Sequence, residues 1–162
     1  MEKTGRLAVL GLITTLALIL SYVESLIPVF VGIPGVKLGL ANLAILFTLY
    51  RYDLQSACFV SVMRILIGGF LFGNLMSISF SIAGGFLSLI VMYVLKRFHV
   101  FGVTGVSVAG GCAHNAGQLI VAAFVVGAAP LLYYIPILLV SGVVTGLLIG
   151  AAGEILIRRV PG

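Results

Sequence analysis

Residues 103 to 129, VTGVSVAGGCAHNAGQLIVAAFVVGAA, form an apolar run long enough to cross a bilayer, yet His114, Asn115 and Gln118 stand in its middle. A transmembrane helix takes about 20 mostly apolar residues. Polar side chains at that depth must find partners inside the protein or line a wet cavity. At about 3.6 residues per turn, positions 114, 115 and 118 fall on one face, and Ser107 and Gly111 continue it toward the start of the run. One face of this helix is therefore a candidate ligand wall. The competing reading is that His114 and Gln118 only hydrogen-bond a neighbouring helix.

The remainder of the 162 residues fits the same solvent: 62% are hydrophobic and 8% charged, against about 25% charged in soluble domains. An all-α, polytopic membrane protein is expected. Its acids are Glu2, Glu24, Asp53 and Glu154, which leaves little material for paired-carboxylate catalysis. The net charge of +5 comes largely from Lys3, Arg6, Arg51, Lys96, Arg97, Arg158 and Arg159. These lie between or beyond apolar runs, where orientation signals belong, and form no nucleic-acid surface. Cys58 and Cys112 sit within apolar segments; two cysteines give neither a disulfide framework nor a metal-ligand cluster. No metal and no cofactor is expected. Leu7 to Val23 is long for a signal-peptide core and has no Ala-x-Ala exit, so it is read as a retained first helix.

The spacing predicts a single membrane domain with spans at about 6–23, 38–50, 54–69, 75–95, 103–129 and 131–157. In the first, Gly11, Thr15, Ala17 and Ser21 are small residues at close-packing spacing, predicted to meet a partner membrane subunit, with contact to this chain's own helices as the alternative. Glu24 follows near the opposite interface, free to snorkel or to face a site. Pro28, Gly32, Pro34 and Gly35 then impose a loop or re-entrant connection that is unusually apolar. The second span is too short to cross alone and carries Asn42. Arg64 stands inside the third; at about 2.5 to 3.5 kcal/mol for an arginine at a helix centre, it should face the interior and pair with an acid, with carbonyls or with an anionic ligand. Gly68, Gly69, Gly73 and Asn74 read as an outer connection, and Gly84-Gly85 as a place where a neighbour or ligand approaches the backbone. In the last span, Tyr133 and Tyr134 read as interface anchors, Pro136 suits a first turn or kink, and Glu154 and Arg158 form an i, i+4 pair. Lys3, Arg6, Arg51, Lys96, Arg97, Arg158 and Arg159 fall on one side of this topology, with Glu24 and Lys37 on the other, which puts both termini in the cytoplasm of a bacterial-type cell membrane.

Counted along the helices at about 1.5 Å per residue, Asn42, Arg64 and His114 lie at matching depth, with Gln118 somewhat further out and Lys37 at the outer mouth. If their faces converge, Lys37, Asn42, Arg64, His114, Asn115 and Gln118 line one outward-opening pocket for a small ligand with an anionic or strongly polar group. An Arg64 pair with Glu24 or with helix-end carbonyls is the structural alternative.

The segment PGVKLGLANL at 34–43, together with Arg64, Gly84-Gly85 and the segment AHNAGQ at 113–118, resembles the Gx transporter family, widely labelled heptaprenyl diphosphate synthase component I. That family is similar to the S components of energy-coupling factor vitamin transporters. The resemblance implies a small membrane protein, surrounded by lipid, that captures a micronutrient or precursor and joins a transmembrane coupling subunit and ATPases. The enzymatic label fits the residues less well, because prenyl diphosphate synthases hold magnesium with clustered aspartates and Asp53 stands alone in a turn. Catalysis by this chain is not expected; a membrane or regulatory partner of an isoprenoid synthase is the alternative function.

Overall fold

The computed structural model describes residues 3–26, 38–99, 101–126 and 133–160. Lys37 and the Pro/Gly-rich connection before it lie outside them. The described residues form helices α1 (Lys3–Leu26), α2 (Leu40–Arg51), α3 (Leu54–Phe72), α4 (Leu75–Arg97), α5 (Val103–Val126) and α6 (Ile135–Arg159). Five are long and apolar enough to cross a membrane, and α2, with 12 residues, is not. The chain is a polytopic helical membrane protein. Helices α2 to α6 close a ring by consecutive contacts that return from α6 to α2, and α1 packs on α2 and α3.

Lipid tails are as apolar as leucine, so burying leucine does little to hold such helices together; close van der Waals approach does. In α6, Gly142, Gly146 and Gly150 recur every fourth residue and lie along α5. A Cβ at Gly146 would lie 2.6 Å from the Val108 Cα, one at Gly150 2.7 Å from the Thr104 Cα, and one at Gly111 of α5 2.6 Å from the Gly142 carbonyl oxygen. The α4–α5 contact is made the same way: a Cβ at Gly117 would lie 2.6 Å from the Ala83 oxygen, and one at Gly84 2.8 Å from the His114 oxygen. What approaches the Gly84 backbone is thus a neighbouring helix. The apolar core, including Leu46, Leu49, Ala57, Val60 and Val106, fills the lower part of the ring.

That lower end gathers the basic residues. Arg6 of α1 donates to the Asp53 carboxylate and to the Ser56 Oγ, the latter at 2.7 Å. Lys96 Nζ donates to the Leu49 carbonyl at 2.5 Å and lies 5.0 Å from the centre of the Tyr50 ring. Glu154 accepts from Arg158 at 2.7 Å, the expected i, i+4 pair, and from Thr104 of α5 at 3.1 Å. Asp53 also caps α3, accepting from the Ser56 N–H at 2.7 Å.

Two expectations change. Gly68 and Gly69 do not belong to a connection, because α3 continues through them to Phe72; Asn74 then opens α4 with a reciprocal cap to Ser77. Nor do Gly11, Thr15, Ala17 and Ser21 form one side of α1. Six residues turn a helix through about 600°, so Ala17 lies about 240° around from Gly11. Gly11 and Thr15 are exposed, whereas Ala17 is 0% exposed in the bundle's own core and the Ser21 hydroxyl is buried.

Replacing Gly146 with Leu drives a side chain into the α5 backbone and should cost about 3 kcal/mol or more, while Gly11→Ala, with nothing within 4 Å of the new Cβ, should change stability by less than about 1 kcal/mol. Unfolding of both variants in detergent checks this. Asp53 gives a pH dependence. The Ser56 N–H foremost, then the Ser56 hydroxyl and Arg6, hold its carboxyl below the ordinary carboxylate value despite partial burial. The stabilisation is therefore complete above about pH 4 and is lost as pH falls through the lower native value. Both partners are nearly half exposed, which keeps the effect under about 1 kcal/mol. Asp53→Asn keeps a capping oxygen and should flatten the acid limb of an unfolding profile below about pH 4.

Candidate functional site

Arg64 sits about 15 Å along α3 from its Leu54 end at 1.5 Å per residue. Its Nε and Nη2 are buried and have no hydrogen-bond partner among the described residues. These two N–H groups share one edge of the guanidinium plane, the edge that receives two oxygens of a carboxylate or phosphate side by side. The ion pairs among the described residues are Arg6–Asp53 and Arg158–Glu154, both at the lower end. Glu24 is the acid whose charge acts on Arg64, but its Oε1 already accepts from the Gly39 N–H at 2.7 Å.

A cavity of about 40 Å³ lies at the centre of the ring beside Arg64. Every helix contributes to its lining or its edge: Glu24 from α1, Gly39 and Asn42 from the start of α2, Arg64 from α3, Ser81 from α4, Gly111, His114 and Asn115 from α5, and Thr145 from α6. A narrower space of about 20 Å³ continues past Asn42 toward Ser88 and Ser107. The shortness of α2 is what makes this possible. With 12 residues it rises about 18 Å, so from the lower end its N-terminus reaches only the bundle interior. Gly39 begins it with φ 72°, a left-handed conformation that glycine adopts without strain. The α2 N-terminus, the positive end of the helix dipole, is thereby set at the cavity.

Of the residues the sequence singled out, Asn42, Arg64, His114 and Asn115 line this one space. Gln118 does not line it; its Nε2 lies 2.8 Å from the His114 Nε2 and orients that ring from one turn further along α5. Asn115 commits its amide donor to the Leu138 carbonyl of α6 at 2.6 Å, so its role is partly to tie helices together. Ser81 and Thr145 were not in the predicted set. A signal for Thr145 exists in the spacing Gly142-x-x-x-Gly146-x-x-x-Gly150, which fixes the α6 face against α5 and with it the neighbouring position. Ser81 is one of several serines in α4, and nothing in the sequence separates it from the others.

A multi-helix membrane bundle built around a small polar cavity, with an arginine edge that has no hydrogen-bond partner among the described residues, is the class this arrangement defines. The family model for heptaprenyl diphosphate synthase component I matches residues 13–156, and the chain belongs to that family. No curated protein and no solved structure matches it.

Because the Arg64 Nε and Nη2 are buried and Arg64 forms no ion pair among the described residues, its charge opposes folding in the empty protein. Arg64→Met should leave the unfolding free energy in anion-free detergent unchanged or raise it by about 1 kcal/mol or more; a loss of several kcal/mol would make the guanidinium a structural tie.

Proposed function

We propose that this chain is a non-catalytic membrane subunit that holds a ligand by its oxyanion on Arg64. The observation that carries this is the guanidinium edge, Nε and Nη2, buried beside a cavity with no partner among the described residues. Natural bundles keep a mid-membrane arginine where it faces a ligand, an ion path or a pairing group. Asn42 and His114 supply further polar groups at the same space, and the α2 N-terminus adds positive potential.

The family description favours an isoprenoid synthase as the partner, with this chain as its membrane component. Catalysis is assigned to that partner, since Asp53 is committed to Ser56 and Arg6 at the far end of the bundle. The second reading, solute capture for a transmembrane coupling subunit and ATPases in the manner of an S component, draws support from the cavity's position on the side away from the basic ends. With those ends and both termini in the cytoplasm of a bacterial-type cell membrane, the site is reached from outside. In either reading the exposed strip of α1 around Gly11 and Thr15 is assigned to the partner, and Lys37 to the mouth of the site.

The test is titration of the purified full chain with inorganic diphosphate, alongside identification of proteins that co-purify from the native membrane. Arg64→Lys keeps the charge and loses the two-pronged edge, so affinity should fall about tenfold or more; Arg64→Met should abolish binding. A co-purifying prenyl diphosphate synthase supports the first reading and an ATPase pair the second. Binding that is indifferent to both substitutions would overturn the oxyanion site.

A further inference from the structure

Arg64 borders a second cavity on the side away from Asn42 and His114. It lies between α1, α3 and α4, and its volume, about 180 Å³, is more than four times that of the central space at about 40 Å³. Arg64 and Ser81 belong to the linings of both, so one arginine side chain borders the two spaces. An engineered cavity of about 150 Å³ takes up a benzene molecule, and one water needs about 10 to 15 Å³. The central space therefore has room for an anionic group or a few waters, while an organic body of roughly one ring's size fits only the second cavity.

The lining of that cavity says what kind of body. Gly68 and Gly69 of α3 and Gly73 after it thin one part of its wall, Ile65 and Phe72 supply apolar surface, and four serines line the rest. Two of these are already used: Ser25 donates to the Tyr22 carbonyl at 2.7 Å, and Ser77 caps α4. The Ser21 Oγ is different. It is buried and has no partner among the described residues, and a hydroxyl kept out of water in that state is destabilising. A long hydrocarbon tail would leave it unsatisfied. A body carrying a hydroxyl, ether or amide would complete it.

We infer that the cavity between α1, α3 and α4 receives the body of the ligand, and that this body is compact and carries hydrogen-bonding groups, joined to an oxyanion held on Arg64. The inference rests on the oxyanion reading of Arg64. It makes the ligand a small polar organic anion, such as a phosphorylated or carboxylated polyol or ring, and excludes a long prenyl chain from this site. Ser21 is the specificity-determining residue on α1, and its partner is an atom of the ligand.

The experiment titrates the full chain in detergent with inorganic phosphate, with glycerol 3-phosphate and ribose 5-phosphate as compact hydroxylated anions, and with farnesyl phosphate as a long-tailed one. At least one hydroxylated probe should bind about tenfold or more tightly than phosphate, and farnesyl phosphate should show no such gain. Ser21→Ala should bring the hydroxylated probe to within about threefold of phosphate without lowering the unfolding midpoint, since it deletes an oxygen with no partner among the described residues. Ser21→Leu, which fills the space, should do the same; should it fail to insert, the alanine variant carries the test. A tighter farnesyl phosphate, a hydroxylated probe unaffected by Ser21→Ala, no gain over phosphate, or a clear drop in stability on Ser21→Ala would each overturn the inference. If phosphate binding still depends on Arg64 in those cases, the oxyanion site stands and only the second cavity's role falls; if no probe responds to Arg64→Met, both fall.

Discussion

The approach of α4, α5 and α6, backbone against backbone, is the constraint on which the rest of this bundle depends. Without a hydrophobic driving force between helices in lipid, association comes from contacts that only glycine allows at this range. The α6 stripe of Gly142, Gly146 and Gly150 and the Gly84–Gly117 contact fix α5 in height and rotation between its two neighbours. Since His114 and Asn115 ride on α5, the same contacts set them level with Ser81 on one side and Thr145 on the other. The position of the polar groups is thus a by-product of where glycines sit.

Much of this was legible in the chain. Apolar runs longer than a bilayer needs, separated by charged turns, dictated helices, and the depth count along them matched Asn42 with Arg64 and His114, which do share a cavity. Depth is encoded by the number of residues, so it survives the passage from sequence to structure. Rotation about the helix axis is less well encoded. Ala17 was grouped with Gly11 because both are small, yet the two lie on different faces and Ala17 is sealed inside the core. Gln118 shares the α5 face with His114 but turns to bond that ring and does not reach the central space. Glycines were misread where helical propensity and tertiary packing disagree. Gly68 and Gly69 look like a connection but are helical, because α3 packs against α1 and α4 along this length.

Arg64 is where the sequence and the structure inform each other most. The sequence states the cost of an arginine at mid-membrane; in the structure the Glu24 charge meets part of it from across the cavity, but among the described residues no acid pairs with the guanidinium directly, the ion pairs being at the lower end. The short α2, begun at a left-handed Gly39, places a helix start at the same depth. Two sources of positive potential and the Glu24 carboxylate thus face one small volume in a low-dielectric interior, where each acts with less screening than it would at the surface.

That Arg64 forms part of the wall of two spaces has a thermodynamic consequence. A group shared by both linings makes filling either one a change in the surroundings of the other, so occupancy and fold stability become linked quantities. A ligand that binds only the folded bundle adds RT ln(1 + [L]/Kd) to its stability, about 2.7 kcal/mol at a concentration one hundred times Kd. For a bundle with a buried arginine edge that has no partner among the described residues, such a ligand would serve as a missing piece of the interior, and the ease with which the protein melts would become a gauge of what its surroundings contain.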